Sequence, residues 1–406
     1  MAGRLRTIES SARATIEDLT ADGRGTVLLF LSVAWFVNFG IRMVYPVVVP
    51  TLQSVFGFGL TTTGVLLTTL WLMYAIGQLP GGILADRFGE RIVLVGGLVL
   101  VAASLVIVSA SIGLWMVFLG TLLTGLAVGL YSTTLFTVLA NVFENRQGTA
   151  QGVTLAMGNA GSASLPVLAI TIVGVLGWRA GFAYLLPLLA IATVGVWYAL
   201  PGRLTEATPG DSVLNTDTLR RIADAIRTRS LANATVVMAL VSLFFQAFTS
   251  FYPTYLLTVK GLSGGTVAAL FSLFFVMAIV AQLGAGVVSD RIGQVRTLTI
   301  ILGLAIVGLL ALPFANRIEW LILLTLLISF QSGTWPVINA YTIPRIPPAV
   351  QGGGFGMIRT SFTIVAAFGS TFVGIAADRT SLEFAFAWVG AAIVVTFLFV
   401  LVFLKE

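Results

Sequence analysis

Twelve apolar runs, each long enough to cross a bilayer as a helix, occupy most of this 406-residue chain and constrain its fold more than any other feature. A hydrocarbon core about 30 Å thick takes roughly 20 residues of helix. Broken at Gly, Pro and charge clusters, the runs fall at 26–49, 61–82, 92–110, 113–139, 149–175, 180–200, 230–253, 265–288, 297–315, 320–342, 352–376 and 383–404. Composition closes the alternative. Apolar residues make up 58% of the chain and charged residues 9%, whereas a water-facing domain carries about 25% charged residues. A soluble enzyme is excluded. The reading is an all-α membrane protein of twelve transmembrane helices.

The charges between the runs give an orientation. With a cytoplasmic N-terminus, sixteen lysines and arginines lie on the inner side, from Arg4 to Lys405, and four on the outer: Arg179, Lys260, Arg317 and Arg379. That bias places both termini in the cytoplasm. Residues 1–25 are polar with no apolar core of a cleavable signal, so no signal peptide is expected. The chain divides into a cytoplasmic amphipathic segment (1–25), a six-helix bundle (26–200), a cytoplasmic linker with an amphipathic helix (201–229) and a second six-helix bundle (230–406). Residues 4–19 and 217–229 pattern either as helices lying on an anionic membrane surface or as solvated linkers.

The two bundles share sequence at one spacing. Gly82-Ile83-Leu84-Ala85-Asp86-Arg87-Phe88-Gly89 matches Gly286-Val287-Val288-Ser289-Asp290-Arg291-Ile292-Gly293, 204 residues later, and the same spacing pairs Gln147-Gly148 with Gln351-Gly352 and Phe182 with Phe386. A duplicated six-helix unit is the layout of transporters that hold substrate between parallel halves near the midplane. Gly82-x-Leu84-Ala85-Asp86-Arg87-x-Gly89-x-Arg91 resembles the signature loop between helices 2 and 3 of the major facilitator superfamily, with the second copy, running to Arg296, between helices 8 and 9. The resemblance spans about residues 26–404. It implies two pseudo-symmetric halves and a cytoplasmic latch built from Gly82, Asp86, Arg87, Gly89 and Arg91, with Glu144 as a pairing acid and Asp290, Arg291 and Gly293 as the second copy. From the residues alone, these are equally ordinary inner-side charges at a tight turn, with Gly82 and Gly89 allowing close helix approach. Glu90 departs from the family, which often has a basic residue there.

The resemblance also implies a cavity lined chiefly by helices 1, 4, 7 and 10. Trp35, Asn38, Arg42 and Tyr45 share one face of the first run, Gln246 and Ser250 mark the seventh, and Gln331, Trp335 and Asn339 step by four along the tenth. Such stripes face protein or water rather than lipid. For the neutral residues, substrate contact and hydrogen bonding between helices remain open readings.

Arg42 and Arg359 are the basic residues placed inside spans. A charge at mid-bilayer costs roughly 2.5–3.5 kcal/mol on insertion scales, so it calls for a partner. Arg42 lies about eight residues, some 12 Å of helix, before an outer end at Pro50. Arg359 lies closer to the inner end, where snorkelling competes with cavity contact. All sixteen Asp and Glu fall in loops, in termini or at span edges. Two buried cations without a buried acid point to an anionic substrate held by bidentate hydrogen bonds.

Weaker resemblances run the same way. Asn38-Phe39-x-x-Arg42 with Tyr74-x-x-x-Gln78-x-Pro80-Gly81-Gly82 is similar to the organic anion:cation symporter branch, though Ile41 stands where that branch carries an acid. Gly158-Asn159-Ala160-Gly161 with Gly177-Trp178-Arg179 is similar to nitrate/nitrite porters, whose arginines in helices 2 and 8 have no counterpart here. Helix 5 glycines equally serve close packing.

The absences narrow the mechanism. With neither Cys nor His, thiol chemistry, His relays and His- or Cys-built metal sites are excluded. The lysines are Lys260 and Lys405, neither in a nucleotide-binding loop, so no ATP is used directly. No cofactor, metal or nucleic-acid partner is expected. The expected protein is a monomeric, multi-pass secondary transporter of the cell membrane, moving a small anion between lipid-embedded halves by alternating access. The rival is an exporter of neutral lipophilic compounds, favoured by the aromatic stripes; a receptor or enzyme role is disfavoured.

Overall fold

The computed structural model describes residue 19 and residues 23–201, 228–347 and 351–404. The amphipathic stretches 4–19 and 217–229 lie almost wholly outside the described residues. All regular structure described is helical, and twelve helices are long and apolar enough to cross a membrane. They are α1 (Arg24–Phe56), α2 (Leu60–Phe88), α3 (Glu90–Ser109), α4 (Leu114–Val142), α5 (Gln147–Leu176), α6 (Ala180–Ala199), α7 (Arg229–Thr258), α8 (Gly264–Ile292), α9 (Gln294–Ala311), α10 (Ile318–Arg345), α11 (Gln351–Arg379) and α12 (Leu382–Phe403). A belt of exposed apolar side chains, including Val99, Trp115, Tyr198, Phe372 and Trp388, covers the outside, as a lipid-facing surface requires.

Several ends move relative to the sequence reading. α1 does not stop at Pro50; it runs through Pro46 and Pro50 to Phe56 and ends at Gly57, whose φ of 67° closes the last turn. Proline is tolerated in a membrane helix where neighbouring helices and local adjustment satisfy the freed carbonyls. Arg42 is therefore deeper than expected, fourteen residues or about 21 Å from that end. The signature stretch is not a loop either. Gly82–Phe88 forms the last turns of α2, and Gly89 alone turns the chain into α3. Its φ of 90° and ψ of 147° belong to glycine. Gly293 repeats this between α8 and α9 with φ 89° and ψ 160°. The close approach expected at Gly82 is made by its neighbours. A methyl on Gly81 would stand 2.7 Å from the Leu130 carbonyl oxygen and one on Gly77 would collide with that of Leu126, whereas one on Gly82 would rest 3.8 Å from Thr133. α10 is broken by a tight turn at Phe330–Gly333.

Within the halves, α1 packs on α5 and α2 on α4, and α9 packs on α12; between the halves, α11 packs on α2 and α8 on α5. These seams are uneven. On the face away from the termini, Gly64 and Gly374 bring α2 and α11 into backbone contact, a methyl on Gly64 standing 2.5 Å from the Ser370 carbonyl oxygen. Toward the termini, methyls on Gly148, Gly152, Gly284, Gly286 and Gly356 would meet nothing within 4 Å. The hydrogen bonds between α2 and α11, from Thr61 and Thr68 to the Tyr74–Arg359 contact, lie along the part of the seam away from the termini.

Candidate functional site

The hydrogen-bonded part of the α2–α11 seam ends at a cluster of cations and rings. Arg42 is 2% exposed. Its guanidinium carbon lies 4.2 Å from the ring centre of Phe39, 4.5 Å from Tyr74, 4.9 Å from Trp71 and 5.8 Å from Trp35. Helical spacing builds this box: Trp35 and Phe39 precede Arg42 by seven and three residues on α1, and Trp71 and Tyr74 are three apart on α2. Desolvated cation–π contacts of this kind contribute about 2 kcal/mol. They act through the faces of the ion and leave its N–H groups to find acceptors. Arg42 Nε and Nη2 have none, and both are buried.

Arg359 reaches the same point from the other half. Its Nη2 donates to the Tyr74 hydroxyl at 3.4 Å, and its guanidinium carbon lies 5.7 Å from the Phe136 ring centre. Of the two directions open to it, Arg359 takes the one into the seam. Among the described residues, the ionisable groups acting on Arg42 are Tyr74 and Arg359, with no carboxylate among them. Among the described residues, no cluster of three metal-ligating side chains (His, Cys, Asp or Glu) occurs.

The other expected lining residues divide. Trp35 joins the box; its indole stacks on Tyr131 with 6.5 Å between centres and meets Phe136 edge-on at 5.7 Å. The indole fits because α5 has glycine opposite it, where a methyl on Gly158 would stand 2.6 Å from Nε1. Gly161 likewise abuts the Phe36 carbonyl, so these α5 glycines serve packing. Asn38 turns back on its own helix, donating to the Ala34 carbonyl at 3.0 Å, with Oδ1 left unpartnered. Tyr45 leaves the stripe: its hydroxyl bonds Thr124 at 3.2 Å and its ring packs on Phe182 at 5.0 Å. It belongs to the core of its own bundle.

In the second half, Gln331 sits in the break of α10, fully buried, and donates to the Val241 carbonyl of α7 at 3.4 Å. The break disturbs the step of four, and Gln331 ties two helices rather than lining an opening. Gln246 is buried with Oε1 unpartnered. Ser250 bonds Ser370 at 2.7 Å. Trp335 packs on Phe362 at 5.6 Å, and Asn339 is half-buried.

The residues expected to form a latch lie on the terminal face. Asp86, Arg87, Glu144, Asp290 and Arg291 are exposed. Arg91 stays within its own half, donating to the Leu200 carbonyl at 3.3 Å and lying 3.9 Å from the Trp197 ring centre.

Four members of the cluster, Phe39, Trp71, Tyr74 and Phe136, were not among the expected site residues. The signal for them was present: a buried cation with no acid needs ring faces, and aromatics three residues from Arg42 or paired along α2 are where to look.

The sequence profile of the Major Facilitator Superfamily matches residues 30–316 and again 234–406. The chain belongs to that family. It is 25% identical over 389 residues to the fosmidomycin resistance protein of Escherichia coli strain K12, covering 93% of this chain and 91% of the relative. It is 23% identical over 283 residues to the hexuronate transporter of Bacillus subtilis strain 168, covering 66% and 64%. Its fold is similar to that of a bacterial homolog of the human lysosomal transporter Spinster, with TM-score 0.77, 14% identity, and 93% and 96% of the two chains covered. Family and fold are those of transporters, and the chain is a multi-pass membrane protein, which in bacteria means the plasma membrane.

Proposed function

We propose that this chain is a secondary transporter that carries a small anion, organic or inorganic, by alternating access. The halves, residues 26–200 and 230–406, rock about Arg42, Tyr74 and Arg359. One observation carries the reading: two arginines, one from each half, converge on a single phenol with no carboxylate beside them, and Arg42 keeps two buried donors without acceptors. An arriving carboxylate or phosphate-like group supplies those acceptors in the bidentate geometry a guanidinium prefers. Because one arginine belongs to each half, such a ligand bonds to both halves at once and biases their relative position. The name of the hexuronate transporter, a relative over two thirds of this chain, denotes a carboxylate.

The excess of arginine on the terminal face puts that face, and both termini, in the cytoplasm. Each chain encloses its own site and acts as a monomer. With no His, and no acid in the middle of a span, the mode is exchange, facilitated movement, or symport of a substrate that itself carries the proton. Uptake of a panel of small anions into proteoliposomes tests this. Arg42→Ala is expected to cut uptake of whichever anion the native chain carries by about 10- to 100-fold. Stoichiometric proton uptake with a permanently ionised substrate would sink the coupling statement.

A second reading, an exporter of neutral lipophilic compounds, draws on the five rings around the arginines and on the resistance protein among the relatives. Arg42→Ala separates the two, since a lipophile exporter would keep its activity.

A further inference from the structure

The geometry points to Asp378 as a clasp that holds the two halves shut at the face away from the termini. Asp378 lies one residue from the end of α11, in the second half. Its carboxylate oxygens accept from two backbone amides that open α2, in the first half: Leu60 N–H at 3.1 Å and Thr61 N–H at 2.7 Å. The first amides of a helix have no partner inside it and carry its positive end, so a carboxylate there is doubly favoured. Capping acids normally sit just ahead of their own helix. This one is contributed by the opposite half, 318 residues away along the chain. The local sequence is cut to admit it. Gly59, the residue before α2, has no side chain, and a methyl there would stand 3.1 Å from Asp378 Oδ2.

The clasp closes a seam of small residues. Below it, Thr61 donates to the Gly374 carbonyl at 3.4 Å, and Thr68 bonds the Ala367 carbonyl at 2.8 Å and Thr371 at 2.7 Å. The seam ends at the Tyr74–Arg359 contact. Among the described residues, the pseudo-equivalent seam has no such device. The positions 204 residues from Asp378 and Leu60 are Gly174 and Gly264. α8 is capped from its own chain neighbour instead, Ser263 Oγ accepting from Thr266 N–H at 3.4 Å. Opening this face must break the Asp378 bonds on one seam only. Asp378 therefore sets the balance between the closed and open forms of that face, and the α2–α11 seam governs it.

This inference rests on the reading that the halves rock, and one experiment separates the two. The chain has no cysteine, so spin-label pairs can be placed without background. Ser54→Cys with Thr380→Cys reports the far face, and Thr137→Cys with Ala340→Cys reports the terminal face; distances are read by double electron–electron resonance in lipid nanodiscs. Two variants remove the clasp from opposite sides. Asp378→Asn removes the charge at constant size. Leu60→Pro removes one donor at the first helical position, where proline is tolerated. The expected result is a rise of about tenfold in the ratio of long to short far-face distances for Asp378→Asn, the size of one charge-assisted hydrogen bond, and a smaller rise for Leu60→Pro. Far-face distributions unchanged in both variants overturn the clasp. A far face that opens while the terminal-face distances stay fixed upholds the clasp and overturns rocking.

Discussion

Arg42 shows how a buried cation can be accommodated while some of its donors stay without acceptors. A guanidinium deep in a membrane helix is costly, and here four rings offset the cost while Nε and Nη2 stay without acceptors. Arg42→Ala is expected to lower kcat/KM for the transported anion by about 10- to 100-fold, the range of a hydrogen bond to a charged group. Arg42→Lys should recover little, because an ammonium cannot form the paired bonds. Radiotracer uptake into proteoliposomes, with protein folding checked by size-exclusion chromatography, measures both. That arginines stand inside spans at 42 and 359 was legible in the sequence, since charges there are conspicuous. That they share Tyr74 was not, because their meeting depends on the seam between α2 and α11.

At the scale of helices, glycine decides how closely segments pack and where they turn, and different glycines do these two jobs. A side chain at Gly161 would overlap the Phe36 carbonyl of α1, whereas one at Gly96 faces open space. Gly161→Leu is expected to destabilise by the 1–3 kcal/mol typical of overpacking, or more, and to lose the monodisperse protein. Gly96→Leu should leave it unchanged. Fluorescence-detected chromatography after heating distinguishes them. Within the signature motif the same contrast separates two glycines that look alike in sequence. Gly89→Ala forces a side chain into backbone space reserved for glycine, at about 1–3 kcal/mol. Gly82→Ala meets ordinary van der Waals contact. Thermal unfolding in detergent should therefore fall for Gly89→Ala and hold for Gly82→Ala. The motif marks a turn but does not say which glycine makes it, because both spacings fit a helix end until the backbone angles are known.

Across the whole molecule, the repeat describes two halves related by an axis along the membrane normal, and the structure departs from that symmetry at the seams: the α2–α11 seam carries an interhalf carboxylate cap, where the equivalent positions of the other seam are Gly174 and Gly264. The orientation is testable in the natural cysteine-free background. Ile112→Cys, at an 84% exposed site in the turn between α3 and α4, should react with an impermeant maleimide added to intact cells. Arg291→Cys, on the terminal face, should react only after permeabilisation. The reverse pattern would invert the topology.

The membrane setting, the number of spans, the duplication and the two intramembrane cations follow from the order of residues along the chain. Each of these is written in local hydropathy, in charge placement or in a repeated string, and so needs no knowledge of what packs on what. Tertiary structure alone decided which side chains surround those cations, which way Arg359 turns, that Tyr45 serves its own bundle, and where the halves are shut. Those outcomes depend on backbone approaches of a few ångströms between helices hundreds of residues apart in sequence. A one-dimensional pattern does not encode such approaches until the chain has folded.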